Sequence, residues 1–240
     1  MKIGIIGAME EEVEQLKGNM AVASVVRKAS MAFFEGALCG REAVVVKSGI
    51  GKVNAAVCTQ ILADVFRVDC IINTGIAGAL GAEIRIGDIV VSTDAVQHDM
   101  DARAFGYPPG QIPRMDTLAF PADHALSALT AAVCRKVNPE IRVFQGRIVS
   151  GDRFIADQAV KRKIIDTFGG LCVEMEGAAI AQTAYLNRIP YVIIRAISDQ
   201  ADASAAADYP AFEKEAIKHC VNLTSALLAR LDPFIISENA

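Results

Sequence analysis

Short apolar runs alternate along the chain with longer stretches in which apolar residues return every three or four positions. "KIGIIG" (2–7) is a continuous run of the kind that fills a strand buried on both faces, and a helix begins over Glu10 to Leu16. "MAFFEGALCG" and "REAVVVKSG" predict a hairpin turning at Cys39-Gly40-Arg41. From 52 to 66, Val53, Val57, Ile61 and Val65 recur at fourfold spacing, which predicts the apolar face of a helix. "VDCIINTG" and "GDIVVS" predict strands. A long loop over 99–115, rich in Pro and Gly ("GYPPGQIP"), has the length of a functional or interfacial segment. Beyond it the pattern predicts a helix at 123–136, a strand at 142–149, a helix near 157–167 and a strand at 171–174. A helix at 176–187, the buried strand "PYVIIRAIS" and a final helix over about 210–231 complete the series.

Continuous apolar strands interleaved with helices predict an α/β domain whose sheet is covered on both faces. The hairpin makes that sheet mixed. No linker and no internal repeat interrupts the pattern, so the expectation is one domain over 1–240. In such sheets, ligands bind where strands end and turn into helices.

Composition narrows the partners. Hydrophobic residues make up 52% of the chain and charged ones only 22%, with a formal net charge of −4 and no Lys/Arg cluster. Affinity for nucleic acid rests largely on neutralising phosphates, so a polyanion is a poor partner and a small neutral or cationic ligand a better one. The six cysteines show no C-x-x-C and no Cys/His ligand spacing, which argues against zinc and thiol redox chemistry. Most sit among apolar neighbours, as small core residues in a reducing cytosol would. "MKIGIIGAMEEE" has a Lys and an apolar run but three glutamates where a cleavage site would need small residues, so no signal peptide is expected. No apolar run approaches the length of a membrane span.

The strand ends carry the candidate chemistry. The first turn, "GAMEEEV", sets three acids where a dinucleotide fold would receive pyrophosphate. Glu10 and Glu11 read as dipole-favouring surface residues; Glu12 reads either so or as a side chain pointing back over the strand ends. "SGIGKVNAA" (48–56) and "NTGIAGALG" (73–81) read as glycine-rich turns, with Gly75 and Gly78 where a side chain would obstruct a ligand, or as tight loops alone. In "VSGDRFIAD", Phe154 is placed to stack on a flat base or to pack in the core. "IIRAISDQAD" carries Arg195 through an apolar strand and ends on Ser198-Asp199, where Asp199 is a helix cap or a functional acid. A buried Arg asks for an anionic partner, and Glu12, Glu174, Glu176 and Asp199 are the candidates. Acids gathered on one rim away from water raise one another's pKa, which suits acid–base work. His98-Asp99 reads as a local structural pair. Without H-E-x-x-H or G-x-S-x-G spacing, metal hydrolysis and nucleophilic triads are not supported.

Taken in order, "IGIIGAMEEEV", "KSGIGKVNAA", "NTGIAGAL", "GDIVVS", "AFGYPPGQIP", "IVSGDRFI", "VEMEGAAIA" and "VIIRAISDQAD" resemble the 5′-methylthioadenosine/S-adenosylhomocysteine nucleosidases of the nucleoside phosphorylase superfamily. The likeness runs from Met1 to about Leu231. It implies a three-layer α/β sandwich around a mixed sheet, a homodimer and a cytoplasmic enzyme of methionine salvage. It also implies hydrolysis of the N-glycosidic bond of adenine thionucleosides, 5′-deoxyadenosine included, with no metal or organic cofactor. By this resemblance Glu12 activates water and Asp199, beside Ser198, directs a proton onto adenine N7. Glu176 holds the ribose hydroxyls with Met175 under the sugar, and Arg195 orients the water or Glu12. Phe154 stacks on adenine, the Ile155 backbone reads its edge, and Ala77-Gly78 lines the loop. Met9, Ile50 and Tyr209 line the alkylthio pocket, which Phe105 and Pro113 reach from the partner subunit. Ile76 departs from the pattern: many relatives carry serine there, so any water-holding role falls to backbone groups, Glu12 and Arg195.

Three rivals remain. A phosphorylase of the same superfamily would need cationic donors for phosphate, and "NTGIAGAL" has none. A futalosine-type or nucleotide substrate would want a basic residue near the 5′ group. A nucleoside-binding regulator would retain the pocket without the chemistry.

Overall fold

The computed structural model describes residues 1–231. The strands are β1 (Lys2–Gly7), β2 (Ala21–Lys28), β3 (Met31–Leu38), β4 (Arg41–Lys47), β5 (Cys70–Ala79), β6 (Ile89–Gln97), β7 (Phe120–Pro121), β8 (Val143–Ser150), β9 (Cys172–Glu174) and β10 (Tyr191–Asp199). The helices are α1 (Glu10–Gly18), α2 (Lys52–Ile61), α3 (His124–Val137), α4 (Gln158–Phe168), α5 (Gly177–Asn187) and α6 (Ala205–Leu228). All the strands join one mixed sheet in the order β10-β6-β8-β9-β5-β1-β4-β3-β2, with β7 beside β6. A further pairing of β10 with β5 closes β5, β10, β6, β8 and β9 into a ring.

Strands buried on both faces need helices on both sides, and two apolar clusters supply the contacts. Leu16 of α1, Leu126 of α3 and Leu227 of α6 pack with Ile3, Ile5 and Ile72 on one side. Cys58 of α2 and Ile180 of α5 pack with Ile6, Ile71 and Ile193 on the other. The result is the three-layer mixed α/β sandwich that the sequence predicts. Among the described residues, no helix is long and apolar enough to cross a membrane.

The hairpin turns as expected: Cys39 (φ 51°) and Gly40 (φ 76°) both take positive φ, the geometry of a tight strand-to-strand reversal. Other elements differ from the expectation. β2 lies at the sheet edge with every residue exposed, so it presents no buried face and no period-2 pattern. "NTGIAGA" is not a turn: β5 runs through it to Ala79, wholly buried. The Val53, Val57, Val65 stripe of the predicted 52–66 helix faces outward, at 74%, 39% and 44% exposure. Ala55, Cys58 and Thr59 face the core instead, small enough to let α2 approach the sheet closely. α2 ends at Ile61 and a π-helical turn continues to Phe66. α6 begins at Ala205, so Pro210 lies inside it rather than at its start.

Candidate active site

The site originates in a change of partner along one edge of β5. β1 pairs with that edge from Cys70 to Asn73 and β9 from Gly78 to Ala79, while β10 holds the opposite edge from Ile71 to Gly78. Thr74 to Ala77 therefore have no strand neighbour on the β1/β9 side. A buried strand cannot leave its amides unpaired. Glu12, at the third position of α1, answers one of them: Oε1 accepts from Ile76 N at 3.2 Å. Its Oε2 accepts from Ala8 N at 2.6 Å and Met9 N at 3.0 Å, closing the turn between β1 and α1. Burial pushes the Glu12 carboxyl up, against the opposing pull of Arg195 and these three amides.

The two β5 glycines make room for carboxylates. A Cβ at Gly75 would sit 2.5 Å from Glu12 Oε1, and one at Gly78 would sit 2.7 Å from Asp199 Oδ1.

Arg195 finds its anion in Glu174. Its Nη2 donates to Glu174 Oε2 and to Asn73 Oδ1, each at 2.5 Å. Glu174 also accepts from Ser150 Oγ and, across the start of α5, from the Glu176 and Gly177 amides at 3.1 and 2.8 Å. Burial raises the Glu174 pKa, but Arg195, Ser150 and the Gly177 amide outweigh it and hold the carboxyl below its ordinary range. Glu174 is thus a fixed anion that anchors a buried cation and a helix start.

Glu176 is treated differently two residues later. Its Oε1 accepts from Gly51 N at 2.7 Å, and burial, reinforced by the Glu174 charge, pushes it up to about 8. Asp199 takes Ala201 N on Oδ1 and Ser198 Oγ on Oδ2, both at 2.8 Å. Burial still raises its pKa, against those two donors. It caps no helix.

Glu12, Glu176 and Asp199 line one cavity of ≈ 490 Å³ together with Met9, Ile50, Ala77, Gly78, Phe154, Met175, Ser198 and Tyr209, all of them anticipated from the sequence. Phe154 is not a core residue: it is half exposed, with its ring edge-on to Tyr209 at 6.2 Å between centroids. Ile155 borders a smaller recess of ≈ 30 Å³ beside Gly78 and Asp199. Arg195 lies behind the wall. Phe105, 82% exposed, and Pro113 do not reach the cavity within this chain. Ala8, Val173 and Ala206 also line it but carry no chemical signal in the sequence. Ile76, noted there only as a departure, contributes its amide to Glu12 and its side chain to the wall. His98 and Asp99 form no side-chain pair: Asp99 takes Lys52 Nζ at 2.6 Å, and His98 Nε2 is buried without a partner among the described residues.

An apolar chamber lined by four carboxyl groups, three shifted upward by burial and Glu174 held low, can hold a flat, largely uncharged ligand and both give and take protons. Known proteins share this framework. The family model described as the phosphorylase superfamily matches residues 2–231. The 5′-methylthioadenosine/S-adenosylhomocysteine nucleosidase of Exiguobacterium sp. is 43% identical over 97% of this chain and 99% of its own. The crystal structure of the corresponding nucleosidase of Neisseria meningitidis, in complex with methylthio-immucillin-A, superposes with a TM-score of 0.92 at 40% identity, covering 96% of this chain and 99% of that one. A futalosine hydrolase of Helicobacter pylori superposes with a TM-score of 0.91 at 31% identity, over 96% and 98% of the two chains.

Proposed function

Because the chain belongs to the 5′-methylthioadenosine/S-adenosylhomocysteine nucleosidases of the phosphorylase superfamily, we propose that it hydrolyses the N-glycosidic bond of both nucleosides, releasing adenine and the thioribose. 5′-Deoxyadenosine, which shares the ribosyl-adenine core, is a further substrate, and the products enter methionine salvage in the cytoplasm. The observation that carries the reaction is the trio of buried carboxyl groups, Glu12, Glu176 and Asp199, all shifted upward in one cavity.

Adenine leaves poorly as an anion, so a proton must reach N7 as the bond breaks. Asp199, oriented by Ser198 and the Ala201 amide, directs it. The sugar becomes positively charged, and the surrounding carboxylates stabilise that charge where water is excluded. Glu12 takes the proton of the attacking water. The β5 residues beside these two acids, Gly75 and Gly78, are three apart, about 10 Å along an extended strand. Acid at the leaving group and base at the water, on opposite sides of the reacting carbon, is the division of labour of inverting glycosidases. Glu176 grips the ribose hydroxyls over Met175, and Phe154 stacks on the purine. The Ile155 backbone reads the edge of the base. Arg195, tied to Glu174, acts through Glu12 by its charge.

Water rather than phosphate is the nucleophile, since no Lys, Arg or His is among the described residues lining the cavity. The enzyme works as a homodimer in which Phe105 and Pro113 complete the neighbouring alkylthio pocket, beside Ile50 and Met9. The test is release of the free purine base from methylthioadenosine, S-adenosylhomocysteine, AMP and futalosine, with and without phosphate. Turnover of the first two in phosphate-free buffer is expected. A phosphate requirement with a pentose 1-phosphate product, or preference for AMP, would overturn it; faster release from futalosine would favour the hydrolase likeness to the Helicobacter pylori protein.

A further inference from the structure

Behind Tyr209, outside the cavity lining, stands a negative group that neither water activation nor adenine protonation uses. Tyr209 lines the cavity with its hydroxyl 3.1 Å from Met9 Sδ, and that hydroxyl donates to Glu213 Oε1 at 3.2 Å, one turn further along α6. Glu213 is half-buried, and among the described residues no Lys, Arg or His nitrogen lies within 4.0 Å of it. The positions one turn away on the same helix are Tyr209, Pro210, Ala216 and Ile217, so no helical neighbour neutralises it. Ala206 also lines the cavity, and the residue whose amide would normally bond its carbonyl is Pro210, which has none. Burial, then the Glu213 charge, pushes the Tyr209 hydroxyl up, with smaller contributions from Glu12 and Glu11. Acceptors and negative charge thus gather at the Tyr209 end of the chamber, and the group that answers several acceptors at once is an ammonium, with three donors and a full charge.

We propose that Glu213, presented by Tyr209, forms a cation-selecting subsite at the outer end of the 5′ pocket, favouring 5′-thio substituents that end in an ammonium over neutral or anionic ones. This rests on the reading that the 5′ substituent lies against Met9 and Tyr209. S-Adenosylhomocysteine meets the requirement through its homocysteine ammonium. Methylthioadenosine reaches only the apolar part.

Three probes of similar length separate charge from size: 5′-(2-aminoethylthio)-, 5′-propylthio- and 5′-(2-carboxyethylthio)-5′-deoxyadenosine. At low ionic strength the amine is expected to show a KM about fivefold below the propyl compound, and the carboxylate a KM above it, as a part-exposed charge pair would give. The spread should shrink in 0.5 M salt, because solvent-facing charges are screened. Glu213→Gln should bring the amine and propyl KM values together, and Glu213→Lys should invert the order. The readout is the ratio of KM values within one variant, which a general loss of folded enzyme does not move. Equal KM values in the unmodified enzyme, or an amine preference that survives Glu213→Gln, would overturn the subsite while leaving methylthioadenosine hydrolysis intact. No hydrolysis of methylthioadenosine would overturn the hydrolase reading and this inference with it.

Discussion

Glu174 and Glu176 stand one residue apart, equally buried, and the protein gives them opposite electrostatic fates. Glu174 receives Arg195, Ser150 and two amides; Glu176 receives one amide and the repulsion of Glu174. That difference decides what each can do. A carboxyl held near pH 8 retains its proton at neutral pH in the folded chain but has lost it in the unfolded chain, whose carboxyl titrates near pH 4. Between those values the folded state binds the extra proton, so the stability contribution is largest at the acid end and declines as pH rises through about 8. Glu176→Gln should therefore raise the melting temperature by a few degrees at pH 9 and by little at pH 5, while ribose binding weakens. Thermal unfolding across that range checks it; a shift independent of pH would contradict the assignment. Asp199→Asn tests the chemistry: substrate binding is expected to persist while single-turnover adenine release falls by about 10²–10⁴-fold. The sequence displays all these acids at strand ends, and it identifies Arg195 as needing an anion. It does not say which acid, because Glu174 and Glu176 differ only in which amides and which cation the fold brings to them.

At the level of elements, β5 does the positioning. Its edge opens where β1 and β9 diverge, and its two glycines allow Glu12 and Asp199 to lie against the backbone. Gly75→Ala would force Cβ to within 2.5 Å of Glu12 Oε1 in a site where the same carboxylate is pinned by three amides. The expectation is a fall in kcat of at least tenfold with circular dichroism unchanged; unchanged kcat would show that Glu12 can move without loss. Reading these glycines as a ligand-approach turn put them in the wrong element: they lie in β5, and carboxylates stand against them. A fully buried strand shows no period that separates it from an apolar loop, and Gly-rich sequence normally weakens a strand. β2 escapes detection for the opposite reason. A strand exposed throughout carries no alternation for packing to impose.

On the scale of the whole molecule, the outward apolar stripe of α2 is the feature a lone chain does not explain. Val53 and Val57 stand exposed, Ile50 (54% exposed) sits at the cavity mouth, and Leu186 (64%) projects from α5, the helix packed beside α2. Fourfold spacing of valines signals burial, and read on one chain it points to the core; a second chain can bury it equally well. Phe105, 82% exposed in the long loop, extends the same logic. If two copies associate through a twofold contact, each loop serves the other copy's cavity, and defects in different parts of the site become complementable. Glu12→Gln removes the group proposed to activate water but leaves its own Phe105 to donate. Phe105→Ala keeps the acids but deprives the neighbour of its wall. Each variant alone should be impaired, whereas a mixed dimer contains one site with both an intact Glu12 and an intact Phe105. After dissociation and random reassociation of equal amounts, about a quarter of all sites should be complete, and activity on methylthioadenosine should rise toward that fraction. If Phe105 instead serves its own chain, the mixture can only average the two parents. Activity no higher than that average, with exchange of subunits verified by native mass spectrometry, would place the loop in cis and leave the valine stripe to another purpose.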